Sequence, residues 1–202
     1  MTVWFRIVLG FLAFASGGAR HLAAQSAAVT VREVDFERVR DPGGAEWWEA
    51  AVELNVEAQG GGAGRFANRV RVGLDLAFQR PVDGRPLEFY RAAVVAPSLE
   101  AGRHVFRFYL PPAIVRRDRI TGAARFWAGD LAVDGREVEP TATQVAPAFS
   151  SASAVLNFRE QHSRLSPVND GVLLPRHLSP WAADFRDPDP VVMRPAATAS
   201  ER

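Results

Sequence analysis

The 202-residue chain contains no cysteine. That excludes disulfides, Cys-ligated zinc, thiol catalysis and a lipid-modified anchor cysteine. A secreted chain of this length can still fold unaided, because its core can be large enough. Lysine is absent too: all 24 basic residues are arginine. The plain cause is a GC-rich genome. An arginine surface shaped for phosphate or carboxylate would need clustering, and the densest run, Arg116, Arg117 and Arg119 around Asp118, reads as a solvated face. Net charge is only +1, so no overall field points to nucleic acid or anionic lipid.

Catalytic signatures are missing as well. There is no G-x-S-x-G elbow, H-E-x-x-H, P-loop or dinucleotide-binding glycine motif. The glycines of 60–64 lack the Lys and Ser/Thr of a phosphate cradle and precede a strand, so they read as a hairpin loop. His104, His162 and His177 are far apart in sequence. His104 reads as a structural histidine at the start of an apolar strand face, and His162 as a solvated helix end. Glu49, Glu53 and Glu57 share one strand face, which is a poor cleft for a carboxylate pair. Asn169-Asp170-Gly171 and Asp187-Pro188-Asp189 do not fit a calcium loop. The sequence therefore assigns no catalytic residue, metal or cofactor, and implies a protein that is not an enzyme.

What is present begins with a targeting pattern. Arg6, the apolar run Ile7 to Ala15 and the small residues around Ala23-Ala24-Gln25 have the layout of a secretory signal peptide. The apolar run falls short of the roughly 20 residues of a spanning helix, and no later stretch could span a membrane. Residues 1–25 are expected to be removed, leaving an exported protein, periplasmic or extracellular.

The stretch from Trp47 to Gln79 organises the rest. Trp48, Ala50, Val52, Leu54 and Val56 alternate with Glu49, Glu53, Asn55 and Glu57. Val70, Val72, Leu74, Leu76 and Phe78 alternate with Arg69, Arg71, Asp75 and Gln79. Period two means two half-buried strands. Their simplest arrangement is an antiparallel hairpin, with Glu57 opposite Arg69 and Glu53 diagonal to Arg71.

Further strands are expected at Val29–Arg40, Leu87–Val95, Arg103–Leu110, Arg125–Val133 and Arg136–Glu139. A parity switch points either to a bulge near Arg32-Glu33 or to a strand that changes sheets. Turns fall at Asp41-Pro42-Gly43-Gly44, Asp83-Gly84 and Asp134-Gly135, and Pro97 to Gly102 reads as a loop. Seven short strands without long helical patterns predict an all-β, immunoglobulin-like antiparallel sandwich over residues 26–145.

Residues 146–202 form an extension. Ser151 to Arg164 is either a helix or a final strand. The proline-punctuated remainder is a strap whose apolar residues need a surface, either the sandwich or a partner. Leu174, Leu178, Trp181 and Phe185 are its candidate partner-binding residues. Trp47, on the outer parity, is expected to pack under a loop, with a sugar-stacking platform as the other reading.

The strand beginning Trp47-Trp48-Glu49, the segment Phe108-Tyr109-Leu110-Pro111-Pro112, the Asp134-Gly135 turn and the ending with Pro180-Trp181 follow the signal peptide in a recognisable order. In this the chain resembles immunoglobulin-like secreted proteins known from verrucomicrobial bacteria and encoded among type IV pilus genes. The resemblance implies an Ig-like sandwich and an accessory role in pilus or secretion-system assembly at the cell envelope, with envelope or pilus-assembly proteins as partners. It carries no catalytic residues, and the Cys and buried-Trp pattern of antibody domains is absent. The alternative is a carbohydrate-binding β-sandwich module.

Overall fold

A computed structural model describes residues 28–58, 65–79, 87–183 and the backbone of 194–195. Residues 1–25, expected to be a signal peptide, the glycine run, the turn expected at Asp83-Gly84, the Asp187-Pro188-Asp189 segment and Phe185 lie outside the described residues.

Strands β1 (Ala28–Arg40), β2 (Glu46–Glu57), β3 (Phe66–Gln79), β4 (Leu87–Glu100), β5 (Gly102–Leu110), β6 (Phe126–Val133) and β7 (Arg136–Glu137) form the body. Helix α1 (Pro112–Arg117) joins β5 to β6, and helix α2 (Ala152–Leu165) follows β7. Two short strands, β8 (Leu174–Pro175) and β9 (Arg194–Pro195), add to the edges. One sheet runs β1-β2-β5-β8 and the other β7-β6-β3-β4-β9. The protein is an antiparallel β-sandwich. In the constant-type immunoglobulin arrangement the fourth strand pairs with the fifth; here β4 pairs with β3 and shares its sheet.

The expected hairpin between β2 and β3 does not form. β2 lies between β1 and β5, and β3 between β4 and β6, in opposite sheets. Alternation tells that each strand has one dry face, not which strand stands beside it. Here the two dry faces oppose each other across the core instead of lying side by side. Val52, Leu54, Val70, Val72, Leu74 and Leu76 are all essentially inaccessible to water. The charges pair elsewhere: Glu53 meets Arg32 and, at 2.6 Å, Arg103, and Arg71 meets Asp130.

Of the two readings of the β1 parity switch, the bulge is the one that forms: the β1–β2 register shifts between Val31 and Glu33, and β1 stays in one sheet. It keeps Val29 and Val31 on the same inner face as Val34 and Phe36. Asp134 and Gly135 both adopt positive φ, 52° and 79°, the geometry that a two-residue hairpin turn needs. The expected loop from Pro97 is a correction: β4 continues to Glu100. Proline is tolerated there because Arg69, opposite it, has φ 47° and the β3–β4 ladder skips that position. Only Ala101 separates β4 from β5, so the chain changes sheet in one step, and Gly102 takes φ 138°, a value few other residues adopt.

α2 settles the Ser151–Arg164 segment as a helix. Ser151 caps it by accepting a 3.2 Å hydrogen bond from the Ala154 N–H. The helix lays Phe158 onto the outer face of the five-stranded sheet, against Phe89, Ala77 and Ala128. A second, smaller core thus forms on the far side of that sheet.

Leu54→Ala should destabilise the protein by about 2–5 kcal/mol, because it opens a cavity between the sheets. Leu156→Ala, on the exposed side of α2, should change stability by less than about 0.5 kcal/mol. Denaturant unfolding of both variants checks this; comparable losses would mean that α2 buries a different face.

Candidate functional site

The polar residues gather in four places. The first lies between α2 and the sheet beneath it. His162, expected to be a solvated helix end, is completely buried. It sits one turn after Phe158 and so falls on the same dry face of α2. Its Nε2 lies 2.9 Å from the Tyr90 carbonyl oxygen. A carbonyl can only accept, so Nε2 carries the proton. Nδ1 has no hydrogen bond and lies 3.5 Å from Asp75 Oδ1. Burial holds the imidazole below its ordinary pKa and the Asp75 carboxyl above its own. The neutral pair is favoured in the fold. Because His162 has no access to solvent, it cannot reach a substrate, and the pair acts as a polar clasp between helix and sheet.

Beside it, Asp130 pairs with Arg71, and Arg159 donates to the Gly129 carbonyl at 2.9 Å. Gly73 leaves room for the Asp130 side chain; a Cβ there would approach it to 3.1 Å. Glu137 stands nearby, its carboxyl raised by burial and by a hydrogen bond with Asp130. Gly129, Asp130, Glu137 and Arg159 line a cleft of about 440 Å³ with Glu139 and Pro140. Its charged lining is three carboxylates, Asp130, Glu137 and Glu139, with one arginine, Arg159. Among the described residues, no group of three or more His, Asp or Glu could hold a metal ion.

The second place is a buried network. The Tyr90 hydroxyl donates to Asp118, which is 3% exposed. Arg117 clamps the same carboxylate through Nε and Nη2 and donates to Asn169 Oδ1 at 3.0 Å. The Asn169 amide donates to Glu88 and to the Phe89 carbonyl. Burial, followed by Asp118, pushes the Tyr90 hydroxyl far above its usual pKa. All three arginines of the run are exposed, as expected, but Arg117 also reaches the buried Asp118, and the two bolt α1 to β4 and to the turn at Asn169. Sequence reasoning missed both Asp118 and His162. Helical spacing from Phe158 was the one available signal for His162.

The third place is the strap. Leu173 is buried, and Leu174 pairs with Tyr109 as β8 extends the four-stranded sheet. Trp181 stacks on Tyr109 with ring centroids 4.5 Å apart and meets Trp47 edge-on at 5.6 Å. The Trp47 indole N–H donates to Asp41 at 2.9 Å. Trp47 thus packs under a loop, as expected, and offers no free ring face to a sugar. Of the four candidate partner-binding residues, Leu174 and Trp181 are engaged within the chain, Leu178 is exposed, and Phe185 is outside the described residues. His104 is likewise structural, its Nε2 2.7 Å from the Glu100 carbonyl.

The fourth place is the free edge of β1. It terminates its sheet, and its outward side chains Glu33, Asp35 and Glu37 are exposed. No helix among the described residues is long and apolar enough to cross a membrane.

No family model matches the chain, and no curated protein matches it either. Solved structures do match. One, a crystal structure from Akkermansia muciniphila, a verrucomicrobial bacterium, shares 15% identity over 84% of this chain and 95% of that one, with a TM-score of 0.65. At that identity the likeness shows a common sandwich fold and no more.

Two outcomes test these sites. Between about pH 4 and 6.5, the ordinary pKa values of Asp and His, both groups are charged in the unfolded chain, and burial in the fold shifts both toward their neutral forms. The raised carboxyl contributes stability that is lost as pH rises, and the depressed imidazole contributes stability that is lost as pH falls. The two slopes oppose in this window. Asp75→Asn should therefore gain stability, relative to wild type, as pH rises through it, and His162→Gln should lose it. Parallel melting curves for both variants would refute the pairing. Separately, Trp181→Ala should cost about 1–3 kcal/mol, from two aromatic contacts. It should also speed amide exchange across residues 172–181; unchanged exchange would show that the strap is held elsewhere.

Proposed function

We propose that this is an exported, non-enzymatic protein of the cell envelope that works by binding other proteins, as an accessory of a pilus or secretion system. The observation that carries the reading is the open edge of β1, a 13-residue strand that among the described residues has a neighbour on one side only. Sandwich edges of this kind recruit partners by strand addition. The signal-peptide pattern supports export, and the shared fold with a verrucomicrobial chain fits the resemblance noted in the sequence. The buried position of His162 favours contact over catalysis.

In-cell cross-linking of the envelope fraction, followed by mass spectrometry, tests the proposal. The expected result is capture of pilus, secretin or related assembly proteins. Recovery of the protein free in the soluble exported pool, without protein links, would overturn it.

A further inference from the structure

We infer that the β1 edge takes an extended segment of another protein in which basic and apolar residues alternate. This rests on the proposed contact role and names the chemistry of its partner.

The edge is bounded at both ends. Near its start, Thr143 donates to the Val31 carbonyl at 2.6 Å, so the turn at 142–144 covers that part. Near its end, Arg38 donates to the Thr121 carbonyl and pairs with Glu46. Glu33 to Glu37 is left open, about the length of an ordinary strand.

The side chains of this window alternate strictly. Glu33, Asp35 and Glu37 point outward with Glu53, Ala51 and Glu49 of β2, and Val34 and Phe36 point inward with Val52 and Ala50. Among the described residues, no basic side chain pairs with Glu33, Asp35 or Glu37. The basic residues nearby are already engaged: Arg32 and Arg103 by Glu53, and Arg107 by Glu49. Val34 and Phe36 are only half-buried although they pack against the core, Phe36 lying 6.2 Å from Trp127.

A strand laid along this edge meets acid, apolar, acid, apolar, acid. Directly opposite residues share a face, so the complement is basic, apolar, basic, apolar, basic. Arginine or lysine would neutralise the three carboxylates, and the apolar residues would finish the burial of Val34 and Phe36. A second copy of β1 is excluded by the same pattern, since it would set acids opposite acids. The acidic edge blocks self-association while leaving the backbone open to a cationic strand.

The probes are three short synthetic peptides: one alternating Arg and Val, one alternating Glu and Val, and one with the Arg residues blocked at one end. Only the first should bind tightly and shift the amide signals of Glu33–Glu37. A variant with Glu33→Gln, Asp35→Asn and Glu37→Gln should weaken it roughly tenfold. Consecutive residues turn their N–H groups to opposite edges, so one of Val34→Pro and Asp35→Pro removes a donor from the free edge and leaves the β2 ladder whole. Whichever variant keeps wild-type melting should lose binding.

Equal binding of the blocked or acidic peptide, or binding that survives in the folded proline variant, would overturn the inference. So would a failure of all three peptides to bind. A photo-cross-linker at Asp35, with one at Glu160 on α2 as control, separates this from the broader reading. Envelope partners captured through Glu160 and none through Asp35 would end the edge inference and leave the contact role standing. No capture at either would end the contact role, and the peptides would then decide the edge alone.

Discussion

Each long strand of this protein has a dry face, and the chain can dry those faces only by setting one sheet against the other. Most of its other features follow from that constraint. Val52 and Leu54 need Val72 and Leu74 opposite them, so β2 and β3 must part company although they are neighbours in sequence. The chain then has to change sheets repeatedly: after β2, at Ala101 between β4 and β5, and through α1 between β5 and β6. Gly102 and the proline pair at 111–112 stand at two of these crossings. Fully burying one aliphatic side chain contributes about 1.5–3 kcal/mol. A cross-strand charge pair contributes about 0.2–1 kcal/mol. The ion pairs that would have favoured the β2–β3 hairpin are outweighed.

The five-stranded sheet carries a second dry patch on its outer side, and this decides the fate of the C-terminal segment. Ala77, Phe89 and Ala128 on the sheet are covered by Phe158, with Phe126 and Phe149 at the margin. α2 is amphipathic enough to do this, but its contact face also brings in a histidine. A buried imidazole must have its N–H satisfied. The Tyr90 carbonyl does so, and Asp75 stands at the other nitrogen. The same strand, β4, turns the Tyr90 hydroxyl inward to Asp118. One residue thereby ties the helix on one side of the sheet to the α1 crossing on the other.

The four-stranded sheet is finished differently. At one edge β8 and Trp181 close it, and Trp181 covers Trp47 and Tyr109. At the other edge β1 is left open and acidic. The strap's surface is therefore the sandwich itself as far as Trp181, and the open strand edge lies at the opposite end of the sheet from the aromatic residues first suspected.

The sequence by itself determined the existence of nearly every strand, the parity switch in β1, the Asp134-Gly135 turn and the absence of familiar catalytic motifs. These are local matters, governed by side-chain period and by the backbone freedom of a few residues. Only the tertiary structure decided that the β1 parity switch is a bulge, that Ser151 starts a helix, that β2 and β3 oppose rather than adjoin, that His162 and Asp118 are buried, that Trp181 folds back onto Tyr109, and that β1 has no second neighbour among the described residues. Alternation reports that one face is dry without saying against what. A charged residue near a helix end looks solvated until a sheet lies beneath it. Pairing, burial and edges depend on residues distant in sequence, and local patterns carry no record of them.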